Sequence, residues 1–582
     1  MFKKNDNHLQ PPLLGTVQAL PEKQRQRLET SWAAVFYREF FNRLDESIFS
    51  DLFSDKASRP NVPVNVLVSL DFLKAGHGWS DEEMYDEFQF NLQVRYALGL
   101  HEFDTGHFEL RTVYNFRRRL SEYQKETGED LLAKVFSDIT DAQLAAYGIH
   151  TERQRVDSSQ ISSAIADASR LQLVVTGVKR LARLLDDAQQ ATHVELLAPY
   201  QQGQAEKYVY RVKGKAATQR ALQAAGTVLA KLLPVVANQD GKGARATYQA
   251  VARLFAENFD LTEEKKVRVR GNNEITSGAL QSLDDLEASY RYKGRTGYKG
   301  YVLNVMETAD SRNEFQLITH VQVAPNNTQD TRLLCEALPN LKERTGLTDL
   351  YGDGGYGSKA SDLVLHDQGV ALHQTHLRGK VPNPTSYCLA DFDITFVEDG
   401  KPATLGCPHG QIVPIQPARK RWLARFDADK CQTCPAFQTQ CGARPLQEGT
   451  FCHLSFPFVD LLWAQRRQRY RLLRQTPGDP RAAIEATIRS IKHPSGGRLP
   501  VRGLRRVTDM IVGTAAMVNI WTILRYQRRK QRNRPPDQSE KSTARGQTNI
   551  QKERDNSRPS FLSIILLNIS NKQRLPATSF SC

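Results

Sequence analysis

Between residues 29 and 145 the apolar positions recur at intervals of three and four, the period of a helix with one buried face. Val66, Leu70 and Leu73 follow Pro63 in this way, and Val113, Phe116 and Leu120 repeat it. Ser80 followed by Glu83 has the spacing of a capping box, in which each side chain bonds the other's backbone N–H, and it opens a helix carrying Met84 and Phe88. At residues 153–163, RQRVDSSQISS, the period changes to two and a strand is predicted, with Asp157 on it. Helical spacing then returns in Leu171, Val174, Val178, Leu181 and Leu185 and again in Leu222, Val228, Leu229 and Leu232, which predicts a helical insertion over about 165–282.

Farther along, YKGYVLNVMET and NEFQLITHVQVA flank the turn-like ADSR and predict an antiparallel hairpin. A helical segment, TQDTRLLCEALPNLKERTG, leads to LTDLYGDGGYGS, where a short strand would deliver Asp353 just before glycines that let the chain turn. GVALHQTHL adds a strand. DPRAAIEATIRSIK, residues 479–492, reads as a helix with Pro480 in its first turn and a Pro-Ser-Gly-Gly stop behind it. Its spacing sets Arg481, Glu485 and Lys492 on one face, with Arg489 beside them. Leu504, Val507, Ile511, Val518 and Trp521 mark a last amphipathic helix. This order of elements predicts an α/β protein: an RNase H-like mixed sheet with helical insertion, preceded by an all-α domain. The expected divisions are an arm over 1–28, a helical DNA-binding domain over 29–148 and a catalytic domain over 149–527. A Cys-rich insertion is placed at about 385–455, and a basic disordered tail, poor in apolar residues, over 528–582.

Charge narrows the partner. With 79 Lys and Arg against 64 Asp and Glu, the net charge of +15 favours a polyanion. No apolar run reads as the roughly 20 residues of a spanning helix, and the N-terminus lacks the apolar core of a secretory signal, so DNA in the cytoplasm, at the nucleoid, is expected over a membrane. Arg117, Arg118 and Arg119, clustered on one predicted helix, are candidates for phosphate contact. Cys431 and Cys434 form a C-x-x-C, with Cys407 upstream and Cys441 downstream, a spacing that suits a tetrahedral zinc site or, alternatively, buried free thiols. His409, Cys452 or His453 would be replacement ligands.

Asp157, Asp353 and Glu485 are far apart in sequence, yet the element order brings them to one edge of such a sheet, where three carboxylates can hold two Mg²⁺ ions, or Mn²⁺ in their place. Taken singly, each aspartate also suits a turn, where it bonds local backbone. Asp167, Asp285 and Asp349 are rivals with weaker placement.

From about residue 30 to 527 the chain resembles the DDE transposases of bacterial insertion sequences. The resemblance is carried by RPNVPVNVLVSLDFLKAGHGWSDEEMYDEFQFNLQVRYALGL with VYNFRRRL, by VDSSQISS, GYKGYVLNV and DGGYGS, and by R-x3-E-x6-K at Arg481, Glu485 and Lys492. It implies binding of terminal inverted repeats, Mg²⁺-dependent cleavage and transfer of 3′ ends to target DNA, with a homodimer assembled on the DNA ends. In that reading Asp157, Asp353 and Glu485 are catalytic, and Arg481 and Lys492 contact DNA. One departure is Gly478, which stands where related signatures carry a tyrosine. A catalytically silent DNA-binding relative, or a nuclease without strand transfer, are the alternatives.

Overall fold

The computed structural model describes residues 1–533 except 11–14, 55, 57–59, 202, 238–240, 380–382, 384, 399, 438, 446–448 and 476. The helical region contains α1 (Val64–His77), α2 (Asp81–Phe90), α3 (Leu110–Thr127) and α4 (Leu131–Ala146). The expected apolar stripes are the buried ones: Val66, Leu70, Leu73, Met84, Phe88, Val113, Phe116 and Leu120 all face inward. Both halves of the capping box form at Ser80 and Glu83. The stretch expected to be a loose arm carries a helix, Glu22–Glu29. Ahead of it Asn5 donates its N–H to Glu46 at 2.8 Å, and the His8 ring packs on Phe41.

A mixed sheet follows. Its strands are β1 (Arg153–Ile161), β2 (Ser289–Lys293), β3 (Thr296–Thr308), β4 (Ile318–Pro325), β5 (Asp349–Gly352) and β6 (Ala371–Gln374), in the order β2-β3-β1-β5-β6. β4 pairs with β3 on the side away from β1, along the half of β3 that β2 leaves open. β3 runs antiparallel to β1, β2 and β4, whereas β1, β5 and β6 are mutually parallel. That arrangement, with helices against it, is the RNase H-like mixed sheet.

The hairpin predicted around ADSR forms with a longer connection. β4 begins only at Ile318, and the register shifts between Met306 and Glu307. Asp310 holds that connection: its Oδ1 accepts from the Arg312 N–H and Nε at 2.9 Å each, a local network that outcompetes further ladder pairing.

The first insertion, with α5 (Arg170–Ala182), α6 (Lys215–Val236) and α7 (Lys242–Asn258), closes on its own core, which includes the predicted Leu171, Val174, Val178, Leu181, Leu222 and Leu229. After α8 (Asp330–Thr345), β5, α9 (Lys359–Asp367) and β6 comes the second insertion, an antiparallel meander. Its main strands are β7 (Asp393–Phe396), β8 (Pro402–Gly406), β9 (Ile412–Ala418), β10 (Arg421–Asp427) and β11 (Phe451–Phe456). α10 (Phe458–Gln475) returns the chain to the sheet and leads to α11 (Ile484–Lys492) and α12 (Leu504–Arg532).

α12 is long and apolar enough to cross a membrane by length and composition, which the sequence reading did not anticipate, but 78% of its apolar window is buried. Its apolarity is that of a core helix. One continuous core joins it to α1, α3 and α4 and to Leu303 and Val305 of β3. Gly513 lets the backbones meet, since a Cβ there would lie 2.8 Å from Ala75 Cβ. Asn519 accepts from the Ile318 N–H at 2.9 Å and donates to the Ile318 carbonyl at 3.0 Å, so one side chain stands in for a strand neighbour at the sheet edge. Most of the expected tail, 534–582, lies outside the described residues.

Candidate active site

β1 and β5 set the first two acids. They pair in parallel with Arg153 opposite Asp349 and Arg155 opposite Tyr351, and the same offset carried two residues on puts Asp353 beside Asp157. Asp353 sits just past the end of β5 and caps a single turn, Gly354–Tyr356, accepting the Gly355 N–H at 2.6 Å. The two glycines are sterically required. A Cβ on Gly354 would lie 2.7 Å from the His376 carbonyl, and one on Gly355 would lie 2.8 Å from both Asp353 Oδ1 and Asp330 Oδ2. Beneath the turn Tyr356 is fully buried and donates to Asn304 at 2.7 Å.

The third acid comes from α11, which starts later than the sequence predicts. Residues 480–483 form turns, and the helix runs from Ile484. Asp479 Oδ1 accepts the Arg481 N–H at 2.9 Å, and Arg155 takes the Pro480 carbonyl at 3.1 Å, so the groups that would begin a helix are bonded elsewhere. Ile484, Ile488 and Ile491 face the sheet and leave Glu485 exposed on the outer side. The helix is fastened to β3 and β1: Thr487 donates to Glu307 at 2.6 Å, and Lys492 donates to Ser159 Oγ at 3.1 Å and to the Gln160 carbonyl at 2.9 Å.

Asp157, Asp353, Glu485, Arg481, Arg489 and Lys492 therefore line one open cleft of about 590 Å³, together with Lys293 from the tip of β2. Arg481 Nη2 reaches Asp157 Oδ2 at 2.8 Å and Glu485 Oε1 at 3.6 Å. Burial lifts the Asp157 carboxyl above its ordinary range, Arg481 opposes that lift, and nearby Asp353 adds to it. Burial also lowers the Lys492 ammonium.

A fourth carboxylate that the sequence reading did not weigh joins the group. Asp330, the first residue of α8, is 6% exposed, accepts from Ser158 Oγ at 3.0 Å and lies 3.6 Å from Arg291. Its only sequence signal is an acid at a helix start after a strand, which ordinarily means a favourable helix dipole. The rivals are engaged elsewhere. Asp349 bonds His373 at 2.7 Å, Asp167 bonds Lys299 at 2.6 Å, and Asp285 accepts from Ser163 at 2.7 Å and from Tyr301 at 2.5 Å.

The arginine cluster does not form a uniform binding face. Arg117 is drawn inward, with Nε 2.9 Å from Asp71 and Nη1 2.7 Å from Asp81, and Lys74 also reaches Asp81. Arg118 is exposed, and the Arg119 guanidinium lies over the Phe53 ring at 5.0 Å. Arg117 is thus chiefly a structural cation. None of the three lines the carboxylate cleft.

Residues 22–119 match the family model described as Transposase domain (DUF772). That match covers the N-terminal helices as far as Arg119 and is a similarity to a transposase domain. The match supports a transposase role, of insertion-sequence type, and with it a DNA-processing activity; it stops short of the sheet that carries the cleft. No curated protein and no solved structure matches the chain. The cleft lies wholly outside residues 22–119. Three convergent carboxylates offer only oxygen donors, which suits a hard divalent cation. As they stand, no three His, Cys, Asp or Glu side chains among the described residues are gathered tightly enough to hold an ion. The donor type fits; the acids would have to draw closer to share an ion.

Proposed function

We propose that the chain is a DDE transposase that binds the terminal inverted repeats of an insertion sequence, cleaves there and transfers the 3′ ends to target DNA. The observation that carries this reading is the convergence of Asp157, Asp353 and Glu485, from β1, the end of β5 and α11, in one open cleft ringed by cations. Asp157, Asp353 and Glu485 would hold the divalent ions, Mg²⁺ or Mn²⁺. What such ions supply when bound is charge stabilisation at the attacked phosphate and its leaving oxygen.

The chain's own residues do the rest. Lys293, Arg481, Arg489 and Lys492 present positive charge along the cleft and hold the DNA backbone against the acids. Lys492 is held by Ser159 and Gln160, so its ammonium is fixed in place before DNA arrives. Arg118 and Arg119, with the overall charge of +15, supply phosphate contacts away from the cleft. Joining two ends calls for two copies of the chain on the DNA, and the setting is the cytoplasm.

The test is incubation of the full chain with DNA bearing the flanking repeats and Mg²⁺. Cleaved ends together with joined products support the reading. Cleavage without joining would replace it with a nuclease, and binding without cleavage with a silent relative.

A further inference from the structure

The second insertion contains a chemistry that phosphoryl transfer does not use. Cys407 opens the turn between β8 and β9, a turn closed by the Gly410 N–H donating to the Cys407 carbonyl at 3.0 Å, with Gly410 at φ +90°. Cys431 lies at the end of the short helix Ala428–Gln432 that follows β10; the chain turns behind it as the Cys434 N–H donates to the Cys431 carbonyl at 3.1 Å. Cys441 ends the next turn, its N–H donating to the Ala436 carbonyl at 2.8 Å. These four thiols, from three separate turns, line a single cavity of about 230 Å³ walled by Phe392, Phe426 and Phe437. All four are free cysteines.

Gln411 ties the sulfurs together. Its backbone N–H donates to Cys407 Sγ at 3.3 Å, its side-chain amide donates to Cys431 Sγ at 3.5 Å, and its side-chain oxygen accepts the Asp427 N–H at 3.0 Å. Two replacement candidates adjoin the group: His409 lines the same cavity, and Cys452 interacts with Cys431. Cys452 is fully buried in the core of the meander, and His409 is exposed and bonded to Tyr387 at 3.2 Å.

We propose that Cys407, Cys431, Cys434 and Cys441 form a structural zinc site that clamps the β8–β9 turn to the segment following β10. A sulfur-only set selects a soft or borderline ion over the Mg²⁺ suited to the carboxylates. The thiols as they stand are not close enough to share an ion, so binding draws them inward across the cavity, and the meander gains a cross-link that its small core lacks. Four thiolates complete a tetrahedron and leave no position for substrate, so the site is structural and independent of the carboxylate cleft.

The experiment uses the full chain, purified in reductant without added metal, with zinc measured by elemental analysis and again after exchange with Co²⁺. The expected result is one zinc per chain, a tetrahedral thiolate-rich cobalt spectrum, and release of zinc in step with thiol modification by a mercurial. Cys407→Ser and Cys434→Ser should lose the zinc and the spectrum, whereas Cys335→Ser, on α8, should keep both. Folded wild-type chain that carries no zinc and gives no cobalt–thiolate absorption overturns the proposal, as does full zinc retention in both cavity variants. If those variants fail to fold, the wild-type stoichiometry and mercurial titration decide. Loss of cleavage in the carboxylate variants leaves this result untouched, so the two readings fail separately.

Discussion

Arg481 Nη2 lies 2.8 Å from Asp157 Oδ2, although 324 positions separate the two in the chain. The contact joins the turn before α11 to the first strand of the sheet, and both partners are largely buried. Because the same guanidinium is 3.6 Å from Glu485, it sets the spacing of two of the three acids. Arg481→Ala should lower DNA cleavage by about 10- to 100-fold, the usual effect of displacing a reacting group by an ångström or so. Arg481→Lys should restore part of it, since charge returns without the planar fork. Single-turnover cleavage rates of the two variants check this.

Arg117 should behave as a structural residue. Arg117→Ala removes the cation that Asp71 and Asp81 share and leaves Lys74 on Asp81, and a loss on the order of 3 kcal/mol of stability is expected. Arg118→Ala, at an exposed position, should leave stability within about 0.5 kcal/mol and act only on DNA affinity. Denaturant melts of both, beside salt-dependent binding, separate the roles.

What the sequence shows and what it hides divides along the reach of the interactions. The stripes of α1 and α3, the Ser80 capping box, the strand of Asp157 and the short strand that delivers Asp353 are set by local periodicity and turn chemistry, and they are legible in the sequence. The partners of Arg117 are 46 and 36 residues away, so nothing near it in the chain separates an internal cation from a DNA contact. α11 starts later than its sequence predicts for the same reason. Pro480 suits a first helical turn, but its carbonyl is taken by Arg155, 325 positions distant. Asp330 reaches Ser158 and the neighbourhood of Asp353 through the sheet's pairing and the bare backbone of Gly355, neither of which local sequence shows.

Asp330 should therefore matter although no motif marks it. Asp330→Asn keeps the shape and the Ser158 contact but removes a charge beside Asp353. A loss of about 10- to 100-fold in cleavage, or in divalent-ion affinity, is expected, as for groups that orient metal ligands. Calorimetric Mn²⁺ titration of the variant in the absence of DNA checks this apart from activity; unchanged affinity and rate would make Asp330 a helix cap only.

Stability should carry a pH signature from Asp509 on α12. Burial, reinforced by Asp130 and opposed by Arg505, raises its carboxyl from 3.8 to about 7. Below the ordinary value both states are protonated. Between there and about 7 the unfolded chain gives up the proton while the fold retains it, so stability falls as pH rises. The shift corresponds to at most about 4 kcal/mol, and about half of that after screening through the exposed part of the side chain. Asp509→Asn should raise the melting temperature near pH ~8 and have almost no effect near pH ~3.5. Thermal melts across that range test the sign.

The central claim, that three carboxylates in one cleft perform the chemistry while a basic surface holds the DNA, rests most openly on Glu485, the exposed one of the three. The most direct measurement is Glu485→Gln, nearly the same shape without the charge, assayed side by side for repeat-DNA binding and Mg²⁺-dependent cleavage. The account predicts binding close to wild type and cleavage reduced by several orders of magnitude. Cleavage at the wild-type rate would contradict it.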